Sequence, residues 1–101
     1  MTISRATAGT VATLARAGVG YAWEAERKLP EAARAFESAL ADLKPTSFYY
    51  EELLADLARV QEQSGAKDAA IATYRRLLKD LPRTPRAAEV RNRLGSLGAA
   101  P

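Results

Sequence analysis

The chain has 101 residues, of which 48% are hydrophobic and 27% are charged, and it contains neither cysteine nor histidine. The missing cysteines exclude disulfides and thiolate chemistry, and the missing histidines remove the commonest general base and the commonest metal ligand. The net charge of +3 excludes a strongly basic or acidic protein as a whole, although residues 65–101 form a basic C-terminal third.

No apolar stretch approaches the roughly 20 residues of a membrane-spanning helix. Residues 1–13 also lack the apolar core of a secretory signal peptide. We therefore expect a small helical domain that is either cytosolic or separated from its targeting segment.

Five helices are predicted in chain order, over residues 6–28, 30–43, 47–64, 66–81 and 85–97. Pro30 suits the first turn of the second helix, where no N–H donor is needed. Ser47 is expected to cap the third helix, and Gly65 to end it in a left-handed conformation. Thr84 and Pro85 together predict the start of the fifth helix. Alternation with period two is absent over any useful length, so no strand is predicted.

One pattern occurs twice, 38 residues apart, since Phe36 aligns with Tyr74 and Gly20 with Ala58. A third copy begins near Val90, at an offset of 37. Small residues at matched positions allow helix axes to approach closely, and large rings fill the space between hairpins. The predicted division is an N-terminal extension or truncated repeat end, two repeats, a closing helix and a tail, over residues 1–12, 13–46, 47–84, 85–97 and 98–101.

Aromatic rings are expected to supply much of the buried surface. Trp23 is predicted to lie in the core. At least two rings of the run Phe48, Tyr49 and Tyr50 are predicted to pack beneath the loop between the repeats.

These residues resemble the tetratricopeptide repeat family, whose second helix carries Ala, an aromatic residue four positions later, Ala three positions beyond it, and then Pro. The sequence has these residues at Ala32, Phe36, Ala39 and Pro45. The resemblance implies an all-α, right-handed superhelix of two helical hairpins plus a closing helix. The sequence departs from the pattern at Gln61, Arg27 and Leu77, and its spacing exceeds the usual repeat of about 34 residues.

Stretched repeats of this kind are similar to those of bacterial cell-envelope proteins, including outer-membrane assembly lipoproteins and the periplasmic coordinator of the Tol–Pal system. This resemblance favours a periplasmic or membrane-anchored location over a cytoplasmic one.

The family resemblance also implies that the first helix of each hairpin lines a concave groove for a protein or peptide partner. The candidate partner-binding residues are Tyr21, Glu24, Glu52, Asp56, Arg59, Gln63, Asn92 and Arg93. Tyr and Arg often dominate binding energy at interfaces. Two alternatives stay open: Tyr21 packs only against the next helix, and Arg59 with Asp56 forms a solvated surface pair that contributes little.

A second hypothesis is self-association into a homo-oligomer through Val11 and Leu14. Repeat arrays need polar caps at both ends, yet residues 6–15 carry no charged side chain. An upstream repeat that is not part of the chain would explain this stretch equally well, as would a frayed helix end.

No enzyme is expected, and no cofactor or metal site. The serines have no histidine partner for nucleophilic catalysis. The sequence Gly18-Val19-Gly20 lacks the lysine of a phosphate-binding loop. The basic side chains of residues 65–101 are dispersed without interleaved aromatic residues, so we do not expect nucleic-acid binding. An acidic protein or anionic lipid head groups would suit these side chains better.

Overall fold

The computed structural model describes residues 5–100, with side chains from residue 9 onwards. This part of the chain contains five α-helices and no β-strand: α1 (Arg5–Ala25), α2 (Leu29–Leu40), α3 (Tyr50–Gln63), α4 (Lys67–Asp80) and α5 (Ala87–Ser96). Residues 1–4 of the predicted N-terminal extension and Pro101 of the predicted tail lie outside the described residues.

The helices pack in sequence: α1 on α2, α2 on α3, α3 on α4, and α4 on α5. This order gives two helical hairpins followed by a closing helix, as predicted. The principal extents of 51 × 32 × 16 Å describe an elongated, thin array. Since each helix contacts mainly its neighbours in sequence, the array is built up unit by unit, as repeat proteins are.

Three helices end in the same hydrogen-bonded turn. In each turn an N–H donates to the C=O five residues earlier, at 2.9 Å. The residue before the donor adopts a positive φ, which is 60° at Arg27, 81° at Gly65 and 80° at Gly98. Gly65 therefore ends α3 as predicted. Arg27 adopts a conformation that costs a residue with a side chain about 1–2 kcal/mol.

The closing helix repeats α3 in a different register from the predicted one. The sequence alignment matched Leu94 with Leu57 at an offset of 37. The shared turn at Gly65 and Gly98 instead gives an offset of 33, which places Val90 at the position of Leu57. Val90 and Leu94 are both buried and lie one helical turn apart, so apolar spacing alone fits either alignment.

Two helices begin two or more residues later than predicted. The predicted Ser47 cap is wrong, because α3 begins at Tyr50 and has no side-chain cap. The Ser47 carbonyl instead accepts the Tyr50 N–H at 3.2 Å in the preceding turn. α5 begins at Ala87, and the Thr84 hydroxyl accepts the Arg86 N–H at 3.1 Å. Thr84 thus caps the turn before the helix.

The helices of each hairpin approach closely at positions occupied by glycine or alanine. Gly20 is buried, and a Cβ placed there would lie 2.6 Å from Phe36 Cε1. Ala32, Ala58 and Ala70 are fully buried at matched positions. Trp23, predicted as a core residue, packs against this core but stays partly exposed.

The aromatic run before α3 divides between core and surface. Tyr50 is 2% exposed and Tyr49 packs against the core, so two of the three rings are packed as predicted. Phe48 is 88% exposed and contacts the Tyr49 ring edge-on at 5.2 Å between centroids.

The close contact at Gly20 predicts opposite effects for two glycines of α1. Alanine at Gly18, where nothing lies within 4 Å of a new Cβ, should stabilise the fold by about 0.5–1 kcal/mol through helix propensity. Gly20→Ala should destabilise it by about 1–3 kcal/mol, because the buried Phe36 ring must move. Urea unfolding of both variants measures the difference. Equal stabilisation by both would contradict the close approach.

Candidate partner-binding surface

Four polar side chains join α1 to α3 along one side of the array. Arg59 of α3 donates two hydrogen bonds to the Glu24 carboxylate of α1, with Nη2 3.1 Å from Oε1. Arg59 Nη2 also lies 3.1 Å from Asp56 Oδ1, and Tyr21 of α1 donates its hydroxyl to the same Asp56 carboxylate. We call Tyr21, Glu24, Asp56 and Arg59 the central network.

The central network is partly desolvated. The Arg59 side chain is 38% exposed, and those of Glu24 and Asp56 are 21% and 17% exposed. Hydrogen bonding to Glu24 raises the pKa of Arg59 above its ordinary value. Burial and the hydrogen bond to Asp56 raise the pKa of Tyr21 well above its ordinary value. Near neutral pH, Arg59 is therefore charged and the Tyr21 hydroxyl remains a proton donor.

A second polar contact joins α3 to α5 on the same side. Arg93 of α5 donates to both oxygens of the Glu62 carboxylate, with Nε 3.2 Å from Oε2. The Tyr74 hydroxyl of α4 donates to Glu62 at 2.9 Å. The helices α1, α3 and α5 therefore form one layer, whose members are joined by charged side chains.

A depression of about 450 Å³ opens between α3 and α5. Its charged lining is balanced, with three carboxylates and three guanidinium groups. The lining residues are Ala55, Asp56, Arg59, Glu62, Gln63, Tyr74, Arg86, Glu89, Val90 and Arg93. We call this depression the polar cavity. Its size and mixed charge suit polar groups of a peptide.

A smaller cavity of about 150 Å³ lies between α1 and α3, near the start of α3. We call it the apolar cavity, because its exposed lining is mostly carbon. It is formed by Thr13, Leu14, Ala17, Tyr21, Tyr49, Glu52 and Leu53. Tyr21 connects it to the central network, since its ring lines the cavity while its hydroxyl binds Asp56.

The structure brings most of the candidate binding residues to this layer. Four of them form the central network, Arg93 binds Glu62, and Gln63 and Glu52 line the polar and the apolar cavity respectively. Asn92 is exposed on α5 and lines neither cavity.

Sequence reasoning missed Arg86, Glu89 and Tyr74, which also line the polar cavity. The missed signal is Gly98: aligning it with Gly65 places Glu89 at the position of Asp56. The predicted offset of 37 had shifted the alignment of α5 with α3 by about one helical turn.

Polar contacts elsewhere fasten α3 to α4. The Tyr50 hydroxyl donates to Asp80 and accepts from Arg76 Nε at 3.2 Å. The Arg76 guanidinium also lies 5.6 Å from the centre of the Tyr50 ring. Glu51 accepts the Thr84 hydroxyl before α5. These contacts satisfy polar groups within the array.

Residues 5–100 include no group of three or more acidic side chains placed to hold a metal ion. Across the same stretch, each helix is too short or too polar to cross a membrane.

Comparison with known proteins identifies the family. The sequence profile of the tetratricopeptide repeat family matches residues 24–94, which is more than half of the chain, so the chain belongs to that family. Members of the family are generally protein–protein interaction modules and are typically non-catalytic scaffolds. A search of curated proteins and a search of solved structures gave no match.

The central network predicts measurable coupling between α1 and α3. In a double-mutant cycle with Glu24→Gln and Arg59→Met, we expect a coupling free energy of about 1 kcal/mol, because the pair is partly desolvated and bidentate. The matched control is the Arg16–Asp42 pair, whose side chains are 44% and 75% exposed. Its coupling should be about 0.3 kcal/mol or less. Equal coupling in both pairs would show that the Glu24–Arg59 contact is an ordinary surface ion pair.

Proposed function

We propose that this chain is a non-catalytic scaffold that binds a peptide or protein partner along the layer of α1, α3 and α5. The observation that carries the proposal is the position of two cavities along α3 on this layer, one beside its first turn and the other beside its remaining turns. Glu52 beside one and Gln63 beside the other are separated by roughly 16 Å along the helix axis. About five residues of an extended chain span that distance.

Two side chains that line these cavities suit recognition. Tyr21 and Arg59 belong to the two residue types that most often contribute strongly to binding. Both are held in place before a partner arrives, by Asp56 and Glu24, so less side-chain entropy is lost on binding. Both also keep exposed surface, with Tyr21 at 42%.

Site-specific photocrosslinking tests the proposal. A photoreactive residue at Gln63, in the polar cavity, should crosslink a partner in cell extract, and Arg59→Glu or Tyr21→Ala should abolish that crosslink. Each replacement removes a contact at the centre of the surface, where truncation commonly costs 2 kcal/mol or more. The same photoreactive residue at Lys79, exposed on α4, is the matched control.

A crosslink from Lys79 that equals the one from Gln63, or a Gln63 crosslink that survives both replacements, would reject this surface. Circular dichroism of the variants establishes that they retain the native helical content.

A second candidate function is self-association through α1, which is favoured by an exposed apolar face. Val11 is 57% exposed, Leu14 44% and Val19 52%. Leu57, the counterpart of Val19 one repeat later, is only 3% exposed. α3 is packed between α2 and α4, whereas the described part of the chain offers α1 no helix on its other side. A second copy would cover that face.

Sedimentation velocity tests self-association. We expect a concentration-dependent dimer that Val11→Glu or Leu14→Glu dissociates, because a carboxylate buried at an apolar contact is strongly unfavourable. Phe48→Glu is the matched control, since Phe48 is the most exposed large apolar residue of the described part of the chain and is not part of α1. A monomer at every concentration, or a dimer that only Phe48→Glu dissociates, would exclude pairing through α1.

A further inference from the structure

We propose that the apolar cavity receives one leucine- or phenylalanine-sized side chain of the partner, and that a lysine or arginine stands beside it in the partner's sequence. This inference rests on the proposed function, because it assigns a specificity to one end of the partner-binding surface. It identifies the partner by an apolar anchor flanked by positive charge.

The volume of the apolar cavity sets the size of its occupant. At about 150 Å³, it matches a cavity that holds a single benzene molecule. Pockets for whole small-molecule ligands are usually larger, at about 300–1,000 Å³. The cavity is therefore large enough for one branched or aromatic side chain and too small for a complete ligand.

Part of the cavity wall is held in place by packing and hydrogen bonding before anything binds. Ala17 and Leu53 belong to the core, with exposures of 5% and 3%. The Tyr21 ring packs edge-on against Phe36, with 5.0 Å between the ring centroids, and its hydroxyl is held by Asp56. A preformed pocket binds an apolar side chain without first having to order its own walls, which is typical of anchor positions in interfaces.

The charge at the rim selects the neighbouring residue. Glu52 lines the cavity and is exposed, and its carboxylate bonds to no other described side chain. The nearby carboxylates of Glu24 and Asp56 are paired with Arg59. Because these two carboxylates share one guanidinium, the charge around the cavity is net negative, and Glu52 is its exposed member at the rim. This charge favours a cationic neighbour and disfavours an acidic one.

Three blocked tripeptides test the proposal by NMR titration of the whole chain. The probes are acetyl-Lys-Leu-Lys-amide, acetyl-Lys-Ala-Lys-amide and acetyl-Glu-Leu-Glu-amide. The first should shift the methyl signals of Leu14 and Leu53 and bind about tenfold more tightly than either of the others. The second probe lacks the anchor, and the third reverses the flanking charge.

A charge reversal provides the decisive control. Glu52→Lys alters an exposed residue and should abolish the preference for acetyl-Lys-Leu-Lys-amide over acetyl-Glu-Leu-Glu-amide, because the lysine offsets the negative charge that remains near the cavity. Ala17→Leu should fill the cavity and remove binding of every leucine probe. Because Ala17 is almost fully buried, the unfolding curve of that variant is measured alongside, and the Glu52→Lys result stands independently of it.

Equal binding of the leucine and alanine probes would show that the apolar cavity does not bind a large apolar side chain of the partner. An unchanged charge preference in Glu52→Lys would show that Glu52 does not select the neighbouring residue. These outcomes are distinct from failure of the scaffold. If the tripeptides fail while the Gln63 crosslink still depends on Arg59, the scaffold stands without the anchor. If the tripeptides bind as expected while no partner crosslinks, the anchor site stands and the scaffold role falls.

Discussion

The close approach of α1 and α2 at Gly20 determines how the first hairpin packs. A Cβ at Gly20 would overlap the Phe36 ring, so the absence of a side chain is what allows the two axes to come together. The ring of the next residue, Tyr21, packs edge-on against Phe36, and its hydroxyl donates a hydrogen bond to Asp56 on α3. The packing inside one hairpin thus positions a polar contact between neighbouring hairpins.

The layer of α1, α3 and α5 is joined by charges. Salt bridges on a solvated surface contribute little, but those of Arg59 and Arg93 are bidentate and partly withdrawn from water. Apart from Glu52, a partner on this layer would therefore meet charges that are largely paired. Its gain from them is mainly in orientation and in rejection of wrong charge patterns. Apolar contacts, such as those in the apolar cavity, must supply more of the affinity.

The sequence predicted the hairpins well, because they depend on local chemistry. Gly65 marks a turn that needs a positive φ, and the spacing of Ala32 and Phe36 reports a helix packed at close range. The residues of the central network could also be selected from the sequence, since they follow from the register of the first helices. The alignment of the closing helix with α3 could not be predicted, because Leu94 and Val90 are one turn apart and either satisfies the apolar pattern. Ser47 failed as a cap because burial of Tyr50 sets where α3 begins.

The two candidate functions meet at Leu14. This residue lines the apolar cavity and also belongs, with Val11 and Val19, to the exposed apolar residues of α1. A second copy that buried Leu14 would draw it into the dimer contact and away from a peptide side chain. Since coupling between two binding events is reciprocal, a peptide in the cavity would weaken pairing by the same factor by which pairing weakens the peptide. The geometry of α1 therefore makes the two functions competitors for one side chain.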